Sequence, residues 1–74
     1  MRQKTVPGDL VEMVQITHQV PYSSGGDWEQ VDYIEISRGE TGLVLEDSPD
    51  DNGNLVIVLF RGLQCMVWRS RLRV

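Results

Sequence analysis

Leu55-Val-Ile-Val-Leu-Phe60 decides the fold: six apolar residues in a row, preceded by Asp50-Asp-Asn-Gly53 and followed by Arg61-Gly62. The run is too short for a comfortable helix, and Val56, Ile57 and Val58 are β-branched, so it reads as a strand. Asn52-Gly53 is a turn signal because both residues accept positive φ cheaply, and Gly62 lets the chain reverse again after Phe60. Working outward, residues 41–47 and 64–69 carry the same β-rich patterning on either side, with Gly42 marking a bend or a close backbone approach. The expectation for 41–68 is a meander of three antiparallel strands.

Length sets the scale. At 74 residues the chain is one domain, and a core of that size contributes only a few kcal/mol. The lone Cys65 excludes an internal disulfide and sits inside an apolar strand, which reads as a buried, inert thiol rather than a nucleophile. No apolar run approaches the ~20 residues a bilayer-spanning helix needs, and the N-terminus lacks a signal-peptide core. The expected environment is intracellular and reducing.

The net charge of −4 is unevenly spread. All 11 acidic residues lie within 5–60, where Arg38 is the one cation; Arg2 and Lys4 precede that stretch, and Arg61, Arg69, Arg71 and Arg73 follow it. First and last strands of a small barrel usually adjoin, so Arg2, Lys4, Arg69, Arg71 and Arg73 form a candidate basic patch. Phosphate binding needs converging cations and, better, stacking aromatics. Overall acidity and the scarcity of aromatics beside Trp68 and Tyr22 weigh against nucleic acid. The same separation suits acidic loops of one copy meeting basic ends of the next.

In chain order, residues 1–6 form a possible arm, Pro7-Gly-Asp9 a turn, and 10–16 a strand with Val11 and Met13 toward the core. Residues 17–40 are a long first loop or hairpin arm: 18–27 has the composition of a flexible loop with a Gly pair at its tip, and 31–36 alternates as a short strand. A structureless loop of that length is unusual in so small a domain, so it is expected to be ordered or functional. Residues 48–53 form a polar loop, 70–72 suit a 3-10 turn, and 72–74 a last short strand.

One strand, a long loop, a three-stranded meander, a tight turn and a final strand resemble the SH3-like small barrel. The residues that carry the resemblance are Pro7-Gly-Asp-Leu-Val11, Gly42-Leu-Val-Leu-Glu46, Leu55-Val-Ile-Val-Leu-Phe60 and Trp68-Arg-Ser-Arg-Leu72. They are similar to short phage-encoded and bacterial barrels, and more loosely to the photosystem I accessory subunit and to KOW-type ribosomal modules. The resemblance implies a five-stranded, all-β barrel that binds rather than catalyses. It also implies a phage-encoded accessory protein, packed into a virion or bound to a host protein. The Ala-Leu-Tyr-Asp-Tyr segment of the eukaryotic peptide-binding branch is absent; Tyr22, Trp28 and Tyr33 among Asp27, Glu29 and Asp32 echo its chemistry without its motif.

Strand parity points to a surface. With Val44, Val56, Val58, Phe60, Met66 and Trp68 assigned to the interior, Leu43, Leu45, Leu55, Ile57, Leu59, Cys65 and Val67 fall on the opposite side. A sheet with one solvated face should alternate apolar with polar residues, and this one does not. Exposing an aliphatic side chain rather than burying it costs about 1.5–3 kcal/mol, so such a face marks an interface or lies under the long loop. The candidate partner-binding residues are Leu43, Leu45, Ile57, Leu59 and Val67, with Tyr22, Trp28 and Tyr33 from the loop.

Other chemistries fit poorly. Aligning Gly53 with the glycine of a calcium loop puts Ser48 where an aspartate belongs and Leu59 where the bidentate glutamate belongs. His18, Ser23, Ser24 and Asp27 share one Gly-rich loop, whereas a base and nucleophile need a rigid scaffold. The expectation is a non-enzymatic protein-interaction module with no catalytic residues, metal or cofactor. It would act through the outer face of the meander and the long loop, with self-assembly or a protein partner and without a membrane. Two alternatives stand beside it: a nucleic-acid or ribosome-associated KOW-like module, and a peptide-recognition domain built on Tyr22, Trp28 and Tyr33 with Trp68.

Overall fold

The computed structural model describes residues 6–47 and 53–74. The loop expected at 48–53 and the arm at 1–6 fall almost wholly outside them, as do Arg2 and Lys4.

The described chain is all-β. Its strands are β1 (Leu10–Met13), β2 (Thr17–Ser23), β3 (Asp32–Ile36), β4 (Thr41–Asp47), β5 (Leu55–Phe60), β6 (Leu63–Trp68) and β7 (Leu72–Arg73). A 3-10 turn over Arg69–Arg71 precedes β7, where the sequence suggested one. The strands form one antiparallel sheet in the order β3-β2-β6-β5-β4-β1-β7, curled into half a barrel. Seven strands stand where five were expected. The excess comes from residues 17–40, whose first part is not a flexible loop: β2 and β3 pair as a hairpin, with register Val20↔Ile34 and Tyr22↔Asp32. The Gly-rich composition applies to the tip of that hairpin; the β-branched and aromatic residues on each side of it pair.

The meander follows the reading of 41–68. β4 pairs with β5 and β5 with β6, and a β-bulge sits between Val44 and Glu46. Gly42 is a close approach: a Cβ there would lie 2.6 Å from Val58 Cγ1 and 2.8 Å from the Leu59 carbonyl oxygen. Arg61 (φ 54°) and Gly62 (φ 77°) form the two-residue β5–β6 turn, both in the left-handed region that a type I′ hairpin requires. Arg61 is anchored there by Glu40, with Nε 2.8 Å from Oε2 and Nη2 2.6 Å from Oε1, while Nη2 also donates to the Glu35 carbonyl. Hydrogen bonding to Glu40, helped by its charge, raises the Arg61 pKa above its ordinary value.

That turn also corrects the face assignment of β6. It fixes the register Phe60↔Leu63, Val58↔Cys65 and Val56↔Val67, and residues directly opposite one another share a face. Because Val56, Val58 and Phe60 point inward, so do Cys65 and Val67, while Met66 and Trp68 face out. The core holds Val11, Met13, Val20, Ile36, Val44, Val56, Val58, Phe60, Cys65, Val67 and Leu72, with Tyr22, Ile34 and Leu63 packed against it. Val11 and Met13 are inward as expected. Phe60, Met13 and Ile36 are its largest fully buried side chains, drawn from three different parts of the chain.

Candidate functional site: an apolar outer face and the cleft beside it

On the convex side of the sheet, register brings three leucines into one row across adjacent strands. Leu10 of β1 lies opposite Leu43 of β4, and Leu43 lies opposite Leu59 of β5. Leu43 and Leu59 are half-buried, and Leu10 is 68% exposed. Two further rows follow on the same side of β5 and β6: Ile57 opposite Met66, and Leu55 opposite Trp68. Trp68 is 54% exposed. Leu45 projects at the bulge and is also exposed. Apolar residues thus cover both sides of β5.

The expected partner-binding residues divide. Leu43, Leu45 and Leu59 are on this surface. Ile57 occupies its centre but is only 4% exposed, buried without belonging to the main core cluster. Val67 is in the core at 2% exposure and is not on the outer face, a consequence of the β6 register. The loop aromatics do not join into one groove. Tyr22 lies on the face of the β2–β3 hairpin that carries Val20 and packs against the core; Tyr33, 60% exposed, pairs with Pro21 on the other face. Trp28 is half-buried in the turn between the two strands. Leu55 was placed on this side but not among the partner-binding residues; Leu10 was missed, and Met66 and Trp68 were assigned to the interior. The turn at Arg61-Gly62 contained the signal for the last two, since a two-residue loop sets the β6 parity from that of β5.

Of the candidate basic patch, Arg69, Arg71 and Arg73 lie among the described residues, and two of the three are paired with carboxylates. Arg69 pairs with Asp47, both side chains largely buried, and its Nε donates to the Gly53 carbonyl at 2.7 Å. Arg73 pairs with Glu12, and Arg61 with Glu40. Arg71 is half-buried and makes no side-chain ion pair among the described residues.

Arg71 lines a cleft of about 380 Å³ between the first half of β2 and the end of β6. Its apolar wall is Val20, Pro21, Leu55, Met66, Val67 and Trp68, and its polar rim is Thr17, His18, Gln19 and Arg71. On the rim, His18 Nδ1 lies 2.7 Å from Glu35 Oε2.

The residues weighed for catalysis stay apart. His18 and Ser23 sit near opposite ends of β2, five residues or about 16 Å along an extended strand. Ser23 is buried, and Asp27 accepts the Glu29 backbone N–H at 3.0 Å. Cys65 is fully buried, its thiol 3.5 Å from the Leu63 carbonyl oxygen, and burial pushes its pKa above the ordinary 9.0. Among the described residues no three His, Cys, Asp or Glu side chains gather as a metal site, and no helix is long and apolar enough to cross a membrane.

Comparisons with protein-family models, with curated proteins and with solved structures gave no significant match. The functional reading therefore rests on the geometry of this chain.

Proposed function

We infer that this chain is a non-enzymatic protein-interaction module that docks a partner protein, or a second copy of itself, on the outer face of β1, β4, β5 and β6. The observation that carries the reading is the leucine row Leu10–Leu43–Leu59. Antiparallel sheets that face water alternate apolar with polar residues. Here every outward residue of β5 (Leu55, Ile57 and Leu59) is apolar and is flanked by Leu10, Leu43, Met66 and Trp68, with Glu46 beside Ile57 and Gln64 beside Leu59. Exposed apolar surface of that extent on a small protein marks a docking site. The meander, the 3-10 turn and the short last strand agree with the SH3-like layout. That layout and its resemblance to short phage-encoded barrels support an accessory role in a virion or on a host protein. The nucleic-acid reading is weakened, because Arg69 and Arg73 of the candidate basic patch, and Arg61 beside it in sequence, are each paired with a carboxylate of the same chain.

The test compares the wild-type chain with a Leu10→Glu/Leu59→Glu double variant. Sedimentation velocity follows self-association, and cross-linking in the cell of origin follows partner capture. The wild type forms a complex that the variant loses while the variant's melting curve stays cooperative. A monomeric wild type that captures nothing the variant fails to capture sinks the reading.

A further inference from the structure

Between the first half of β2 and the end of β6 the sheet comes apart, and one residue accounts for where. The β2–β6 ladder runs through Ser23↔Gln64 and Tyr22↔Cys65 and then stops. Next in register is Pro21 opposite Met66, and proline has no N–H to give to the Met66 carbonyl. Past that point β2 pairs with β3 alone, through Val20↔Ile34 and Thr17↔Ile36, with a bulge between them and Gln19 at φ 54°.

The gap opens onto the cleft lined by Leu55, Met66, Trp68 and Arg71. Phe60↔Leu63 closes the β5–β6 turn, and the Arg69 N–H bonds the Asn54 carbonyl at 2.7 Å at the other end of the ladder. Alternation between those two points makes Leu63, Cys65 and Val67 the residues that bond β5. Gln64, Met66 and Trp68 therefore turn their backbone groups toward β2, and Trp68 lies beyond the last β2 pair. A backbone edge at Met66–Trp68 faces the cleft, with the exposed Trp68 ring at its rim and Arg71 beside it.

We propose that this cleft takes an extended peptide segment of a partner protein bearing an acidic side chain. The segment adds to the β6 edge where Pro21 ends the ladder, as short strands add to open sheet edges elsewhere. Its aliphatic side chain lies against Trp68 and Leu55, and its carboxylate meets Arg71. Charge complementarity selects the acid: three arginines of the described chain are spent on internal carboxylates, while Arg71, half-buried in an apolar cleft, has none. Arg–carboxylate bonds are among the stronger and more directional available to a binding site. A nucleic acid is disfavoured because one cation in an otherwise acidic protein neutralises too little phosphate. The site shares Leu55, Met66 and Trp68 with the outer face but none of Leu10, Leu43 and Leu59, and does not depend on that leucine row.

Eight-residue peptides selected from a random display library on the immobilised wild-type chain test the proposal. The expected consensus is an acidic residue flanked by β-branched or aliphatic ones. The best synthetic peptide should shift backbone amide resonances at 17–20 and 66–71. Exchanging its acid for the amide, or introducing Arg71→Gln or Trp68→Ala, should weaken binding about tenfold or more. Arg71→Lys should retain more affinity than Arg71→Gln, and Leu10→Glu/Leu59→Glu should leave the affinity unchanged. The acid-to-amide exchange and the shift map use the wild-type protein, so they decide the matter even if a variant misfolds. The proposal is overturned by enrichment no better than on an unrelated protein, by a consensus without an acid, by shifts confined to other residues, or by displacement of the peptide by a single-stranded oligonucleotide.

Discussion

Asp47 and Arg69 meet across the start of β5, one from the end of β4 and the other from the residue after β6, and tie the two outer strands of the meander together. Asp47 lies opposite the fully buried Val56, and Arg69 also holds the Gly53 carbonyl through Nε and the Asn54 carbonyl through its backbone N–H. Both side chains are largely removed from water. Such a pair adds little over two well-packed apolar residues, but breaking it strands a charge. Arg69→Ala should therefore destabilise the fold by about 3–5 kcal/mol, and Arg69→Met combined with Asp47→Leu should recover most of the loss. Urea denaturation at neutral pH measures both; a loss under about 1 kcal/mol for Arg69→Ala would place the pair in solvent.

The β6 register predicts opposite outcomes at adjacent positions. Val67→Asp places a charge in the core and should abolish cooperative folding, whereas Met66→Asp, on the outer side, should leave a melting transition in place. Thermal melts followed by circular dichroism distinguish them. A folded Val67→Asp beside an unfolded Met66→Asp would reverse the inward and outward sides of β6.

Gly42 is required by space rather than by backbone angle. A methyl group would press on Val58, the Leu59 carbonyl and Phe60, so Gly42→Ala should cost about 1–3 kcal/mol through overpacking. A denaturation midpoint unchanged from wild type would show that β5 can move aside.

Pro21→Val restores an N–H facing the Met66 carbonyl. The β2–β6 ladder should lengthen by one bond, worth about 0.5–1.5 kcal/mol, and the new amide at position 21 should be protected from hydrogen exchange. Rapid exchange there would mean that the strands part for a reason other than the missing donor.

Cys65 should resist thiol reagents in the folded protein and react only on unfolding. Burial raises its folded pKa above the unfolded value near 9.0, so the folded chain keeps a proton that the unfolded chain releases. That contribution is fully present below pH 9.0 and is lost as pH rises from there through the folded pKa. Stability measured from pH 7 to 10.5 should decline in the alkaline range in wild type and less in Cys65→Ala.

Some of the candidate site was readable before any fold was known. Leu43, Leu45 and Leu59 stand on the outer side because β4 and β5 keep simple alternation up to the bulge. Val67 was misplaced because Met66 and Trp68 were assigned to the interior without the register of β6 on β5. The register implied by the two-residue turn at Arg61-Gly62 gives the opposite answer. The strand at 17–23 was hidden because His18, Gln19 and Pro21 carry no β signal of their own, and pairing with Asp32–Ile36 supplies it.

The chain's local chemistry alone determined the meander and the turns at Gly8 and Gly62. These depend on neighbours within a few residues, through alternation, β-branching and the freedom of glycine. Only the tertiary structure decided that Arg61, Arg69 and Arg73 are neutralised while Arg71 is left facing a cleft, and that Leu10 extends the leucine row. Those facts depend on which strands lie side by side, and their partners stand 21 to 61 residues apart in the chain. Charge and exposure follow from distances in space, which local sequence patterns do not contain.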